Sequence, residues 1–180
     1  VAPTDSDAPV YGGTLSICDG RTVDVLGYPA DMTSGTPIRH ASPALETLFQ
    51  LDENGNILPK LAIAYESRIS EGTLRLSLRE NVFFHDGTIF DAEAVKWNLE
   101  QQIASAGTGT SNVRSVTVID EHTVIIHLNK WDNTLLMRLC QVEGMIISPT
   151  AFLKNGGKAW AYTHPVGTGP FLFDHMDSDG

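Results

Sequence analysis

Cysteine is scarce in this chain: Cys18 and Cys140 are the two present, and one pair so far apart is too few for a disulfide scaffold. Neither sits in a C-x-x-C pair. Both are flanked by apolar residues (Leu15 and Ile17; Leu139 and Val142), so two separate buried thiols are expected. Positive charge is also scarce, with 12 Lys and Arg against 22 Asp and Glu and a formal charge of −10. A field of that sign repels phosphate backbones and anionic lipid heads, so neither nucleic acid nor a membrane surface is an expected partner. Solubility accounts for the acidic balance, and a preference for cationic ligands is the functional alternative. Apolar runs such as residues 124–126 and 145–147 fall far below the length that spans a bilayer.

Motifs for chemistry are missing too. Gly107-Thr108-Gly109 and Gly167-Thr168-Gly169 lack the lysine and the strand-to-helix setting of a phosphate loop. The six histidines, His40, His85, His122, His127, His164 and His175, show none of the close spacings of a strong metal site, so no metal and no cofactor is expected. His85-Asp86 lies in the run Phe84-His85-Asp86-Gly87, where Asp-Gly serves a turn, and no nucleophile motif accompanies it. Asp91 and Glu93, or Asp52 and Glu53, read as caps and turns rather than an acid/base pair. An enzyme is therefore not expected.

What the sequence does carry is a core and clear local signals. With 180 residues, 42% of them hydrophobic, there is material for one ordinary domain or two small ones. Residues 1–9 (VAPTDSDAP) are small, acidic and proline-containing, which suits a flexible segment left after signal removal or a tether to a lipid anchor. Residues 14–18 read as a first strand entering a loop, and Pro37 as the start of a helix of about three turns through Ile38, Ala41, Leu45 and Leu48. Residues 52–56 (DENGN) reverse the chain.

Residues 64–69 and 73–79 form a hairpin whose Leu74, Leu76 and Leu78 alternate with Arg75, Ser77 and Arg79, placing the leucines on one buried face. Asp91 caps a helix through Val95, Leu99 and Ile103. Residues 116–119 and 124–128 make a second hairpin, Asp132 or Asn133 opens a helix through Leu135, Leu136 and Leu139, and Pro149 starts a short helix through Phe152. Strands and helices interleave without regular βαβ spacing, which gives a mixed α/β fold.

Four stretches carry a resemblance. Residues 51–66 (LDENGNILPKLAIAYE) and 73–99 (TLRLSLRENVFFHDGTIFDAEAVKWNL), flanked by Tyr11-Gly12-Gly13-Thr14-Leu15 and by Pro165-Val166-Gly167-Thr168-Gly169-Pro170-Phe171, follow one family's order over nearly the whole chain. The chain resembles the family 5 (peptide/nickel-type) extracytoplasmic solute-binding proteins of ABC importers. That resemblance implies a partial type II periplasmic-binding-protein-like fold, with mixed sheets and flanking helices. Residues 1–40 would begin lobe one (1–10 a flexible tail), residues 41–165 form a small inserted domain, and residues 166–180 return as a strand to lobe one. Family members run several hundred residues, so the polypeptide is expected to be a fragment that binds solute weakly or not at all by itself.

The resemblance further implies solute capture for delivery to membrane permease subunits, outside the cytoplasm, in the periplasm or as an anchored lipoprotein, by a protein monomeric in full-length form. Oligopeptides are the favoured solute; a nickel chelate, an oligosaccharide, or a sensory or interaction role on the same scaffold are the alternatives. The loop after the first strand should face the cleft, which nominates Tyr28, Met32, Thr33, Ile38 and Arg39 as solute contacts, with residues 107–111 and 143–145 behind them. Pro165, Val166, Gly167, Thr168, Gly169 and Pro170 are nominated as the lobe crossing, stiff prolines framing pliant glycines.

Overall fold

The computed structural model describes residues 12–14, 16–17, 23–32, 35–105 and 109–176. Its centre is a four-stranded antiparallel sheet built from β3 (Ala62–Arg68), β4 (Thr73–Leu78), β5 (Val113–Asp120) and β6 (Thr123–Leu128), in the order β3-β4-β6-β5. The period-two reading of β4 holds, with Leu74, Leu76 and Leu78 buried and the residues between them half-buried. Register pairs Leu74 with Ile126 and Leu76 with Val124, so the apolar faces of two strands coincide. A turn at residues 69–71 closes the first hairpin, ending on Gly72 at φ 63°, a left-handed position that glycine adopts without the Cβ penalty.

Helix α2 (Ala92–Ala104) lies across this sheet. Its start is fixed as the sequence indicated: Asp91 accepts a hydrogen bond from the Ala94 N–H at 2.8 Å, satisfying one of the unpaired donors of the first turn. Val95 and Leu99 join Phe90, Leu76 and Ile126 in the larger core. A two-stranded sheet of β1 (Phe49–Leu51) and β2 (Ile57–Pro59) closes over the turn at 52–56, where Asp52 accepts from the backbone of Asn54 and Asn56.

A second core collects Leu26, Tyr28, Met32, Ala41, Ala44, Leu45, Met145, Ile147 and Ala161, with Trp97, Phe152 and Trp160 packed against it. Trp97, on the mostly polar side of α2 in sequence, packs edge-on against Phe152 at 4.9 Å between ring centroids. Helix α2 is therefore covered on two sides. Asn98, itself buried, donates to the carbonyls of Ala94 and Ile147 and accepts from the Ile147 N–H, which joins the helix to the second core.

Several expectations change. The helix at Pro37 is α1 (Gly35–Ala41), which starts two residues earlier and stops before Pro43. Proline disfavours helical backbone in the residue before it, so Leu45 and Leu48 sit beyond the helix, one in each core. Among the described residues of the expected first strand, Thr14, Ser16 and Ile17 are in no strand; Leu15 and Cys18 lie outside the described residues. A strand needs a neighbour for its ladder, and Ile17 is exposed. Residues 166–176 likewise form no strand, and Pro170 has no N–H to give one.

The helix after Asp132 is only α3 (Leu135–Arg138), because the chain turns at Leu139 into the 3-10 turn Val142–Gly144. Helix α4 (Pro149–Lys154) begins at Pro149, capped by Ser148, and α5 (Lys158–Ala161) has no counterpart in the sequence reading. Cys140 is half-buried rather than buried, its thiol donating to the Leu136 carbonyl, and burial pushes its pKa up. Residues 1–10 and Thr33 also lie outside the described residues.

Candidate functional site

Three loops meet at the C-terminal end of α2. The 3-10 turn Pro29–Asp31 brings Tyr28, whose hydroxyl donates to Gln101 Oε1 at 3.2 Å. The next helix residue, Gln102, donates to the Val142 carbonyl and accepts at its own carbonyl from Thr110 Oγ1, both at 3.0 Å. Gly109 lies so close to Glu143 that a Cβ there would overlap the carboxylate. Two glutamines in successive positions thus gather residues 28–32, 109–110 and 142–145, which include the separate nominees Tyr28, Met32, residues 109–110 and residues 143–145.

Within this group Tyr28 and Met32 are core side chains, only 5% and 6% exposed. Ile38 is half-buried against the same core, while Arg39 stands on the exposed side of α1 and is not brought to the group. Thr33, Gly107 and Thr108 lie outside the described residues. The Tyr28 ring stacks on Phe152 at 5.5 Å, with Lys158 Nζ 5.0 Å from its centroid on a cation–π approach. Burial pushes the Tyr28 pKa up; Lys158 opposes that rise and Asp31 adds to it.

The charged groups nearby are Asp31, Lys158, Glu143 and Arg138. Asp31 Oδ2 receives Lys158 Nζ at 2.8 Å and the Tyr162 hydroxyl at 2.6 Å. Burial raises the Asp31 pKa, but the hydrogen bonds from Lys158 and Tyr162 outweigh it, so the carboxyl titrates below its ordinary value. Glu143 pairs loosely with Arg138 at 3.7 Å. Among the described residues, no group of three His, Cys, Asp or Glu is placed to hold a metal ion. A separate shallow groove along α2, lined by Ile89, Glu93, Trp97, Glu100 and Thr150, contains none of the nominated residues.

The nominated crossing is held from several sides. Ser148 N–H donates to the Val166 carbonyl and His85 N–H to the Gly167 carbonyl; Gly169 N–H donates to the Ala44 carbonyl and Thr168 Oγ1 to Glu46. His85 Nε2 lies 2.8 Å from the Gly169 carbonyl, which only accepts, so that nitrogen carries the proton. Asp86 accepts from Ser148 Oγ at 2.6 Å and from Thr88. Phe84-His85-Asp86-Gly87 is the expected turn, with Gly87 N–H on the Phe84 carbonyl, and it is also a clamp on residues 167–169.

The glycines here serve close approach rather than pliancy. A Cβ on Gly167 would sit 2.3 Å from the Ala44 carbonyl oxygen, and one on Gly169 2.5 Å from that of Pro43. Pro165 is buried and Pro170 exposed at the two ends. Sequence reasoning missed Gln101, Gln102, Asp31 and Lys158. Their partners lie on distant segments, and no local pattern marks them.

With this geometry in place, residues 56–180 match the model of the bacterial extracellular solute-binding proteins, family 5 Middle. The glutathione-binding protein GsiB of Shigella flexneri is 36% identical over 132 residues, covering 71% of this chain and 25% of its own length. NikA from Brucella suis, solved with Fe(III)-EDTA, superposes with TM-score 0.73 at 28% identity, over 85% of this chain and 32% of NikA. DppA from Helicobacter pylori, solved with the peptide STSA, gives TM-score 0.73 at 25% identity, over 84% of this chain and 35% of DppA. The chain thus spans about a quarter of the length of the curated relatives it matches.

Proposed function

Because the chain belongs to the family 5 bacterial extracellular solute-binding proteins, we propose that the longer protein it represents captures oligopeptides or a similar small solute for delivery to an ABC permease. The observation that carries this reading is the likeness to a glutathione-binding relative and to a peptide-bound structure, since glutathione is itself peptide-like. The family works outside the cytoplasm, and among the described residues no helix is long and apolar enough to cross a membrane. The relatives are binding proteins, and the chain's own chemistry is read the same way.

In this reading residues 1–40 open lobe one, 41–165 form the inserted domain, and 166–180 return to lobe one. The loop that carries Tyr28 and Met32, whose side chains anchor it in the second core beside Ile38, would back one wall of the solute site, with Thr33 and Arg39 at its margin and residues 107–111 and 143–145 beside it. Pro165 to Pro170 would be the crossing. A nickel chelate is the second reading, favoured by the likeness to NikZ from Campylobacter jejuni, solved with Ni(L-His). Titration calorimetry on the longer protein, stripped of bound material, separates the two. Heat from glutathione or a tetrapeptide with none from a nickel–histidine complex supports the peptide reading, and the converse overturns it.

A further inference from the structure

Residues 26–31, which carry Tyr28, are fastened to α5 and the turn after it at three points. Leu26 N–H donates to the Tyr162 carbonyl at 2.6 Å. Gly27 approaches so closely that a Cβ would lie 2.4 Å from the Ala161 carbonyl oxygen and 2.6 Å from that of His164. Asp31 then receives Lys158 and Tyr162 on one carboxylate oxygen. Lys158 and Tyr162 are four residues apart, one turn of helix, so both project from one side of α5 onto the loop. The same ammonium that meets Asp31 also lies over the Tyr28 ring.

The first two fastenings are backbone contacts that any sequence with glycine at position 27 would keep. The third depends on side chains, and it sits at the end of the loop next to Met32. A bridge between an acid and a lysine that is half-exposed contributes little to global stability. Its geometric effect is larger, because it holds a 3-10 turn that has no side-chain cap of its own.

The geometry points to Asp31, Lys158 and Tyr162 as positioning residues that fix the loop bearing Tyr28 and Met32 and thereby set solute affinity in the longer protein. This rests on the reading of that loop as solute-facing. The two are separable by experiment.

The longer protein is compared with its Lys158→Met, Lys158→Arg and Asp31→Asn variants, using glutathione, a tetrapeptide and a nickel–histidine complex as calorimetric probes, alongside hydrogen exchange of amides 27–32 and unliganded melting. Lys158→Met is expected to weaken the binding probe roughly tenfold, equivalent to about 1.4 kcal/mol, and to speed exchange in the unliganded loop. Asp31→Asn, which keeps an acceptor for Tyr162, should lose less. Lys158→Arg should restore both readouts, and melting should barely move. Unchanged affinity and exchange in Lys158→Met overturns the strap. So does a loss that tracks a matching drop in melting temperature. If the bound probe leaves exchange at 27–32 unaltered in the parent, the solute-facing reading fails instead. Should none of the probes bind, exchange in the unliganded variants decides the strap alone.

Discussion

The larger core draws its side chains from alternating positions on β4 and β6 and from one side of α2, so most of its contacts are made between regular, neighbouring elements. The second core takes one to three residues at a time from residues 26–32, 41–45, 145–147 and 161, and its backbone is mostly turn and short helix. The first is held by repetition of a pattern; the second by particular pairings such as Asp31 with Lys158, His85 with Gly169 and Asn98 with Ile147. Of the nominated solute contacts, Tyr28, Met32 and Ile38 belong to the second, and the nominated crossing is bonded beside it, to Ala44 and Glu46. The pattern-built sheet supports, and the pairwise-built seam places.

The sharpest way to break this comparison is to open a hole in the first core. Leu76 is fully buried at the centre of β4, and Leu76→Ala should cost about 2–5 kcal/mol in denaturant unfolding, from lost burial and the cavity left behind. If the seam is held by its own pairings, hydrogen exchange in residues 166–169 should stay close to the parent under native conditions. A uniform loosening of both regions would show that they are one cooperative unit.

Asn98 tests the bond between the regions. Asn98→Ala removes two donated hydrogen bonds and one accepted one from a buried amide and leaves the Ile147 backbone without partners, so about 1–3 kcal/mol should be lost. Combined with Leu76→Ala in a double-mutant cycle, near-additive losses are expected because the two residues serve different cores. Strong coupling would erase the distinction.

Acid gives the smallest and most local effect. Burial raises the Asp86 pKa, but hydrogen bonds from Ser148 and Thr88 more than offset it, so the folded carboxyl titrates below its ordinary value. Stability from a depressed carboxyl is whole above the unfolded value, about 3.9, and is lost as pH falls through the folded value. The clamp on residues 167–169 should therefore be unaffected from neutrality to about pH 5 and loosen below about pH 4. Exchange of the Val166 and Gly167 region against pH reads this, with Asp86→Asn expected to flatten the profile; an equal acid response in that variant would remove Asp86 as the cause.

Much of the first core was legible because its rules are local. The alternation Leu74, Leu76, Leu78 fixes a face, Asp91 ahead of an apolar helical stripe fixes a helix start, and Asn54-Gly55 within an acidic turn reverses the chain. The same local reasoning overran at Pro37, where apolar spacing continued past Pro43 and the helix did not. It also read His85-Asp86 as a turn without seeing what the turn holds. The candidate site was legible only as scattered nominees: Tyr28, residues 109–110 and residues 143–145 carry no shared pattern, and Gln101 and Gln102 look like ordinary helix surface.

By itself, then, the sequence determined the mixed α/β class, the hairpins, the capped helix and the family to which these motifs belong. Periodicity, turn chemistry and capping each act within a few residues, so the chain states them outright. Only the tertiary structure decided that Gly167 and Gly169 are small so that residues 43–44 can pass, that His85 grips residues 167–169 while Asp86 holds Ser148 beside them, and that Asp31 is answered from α5. Those choices depend on which distant backbones come within 3 Å of one another, a distance that sequence spacing does not encode.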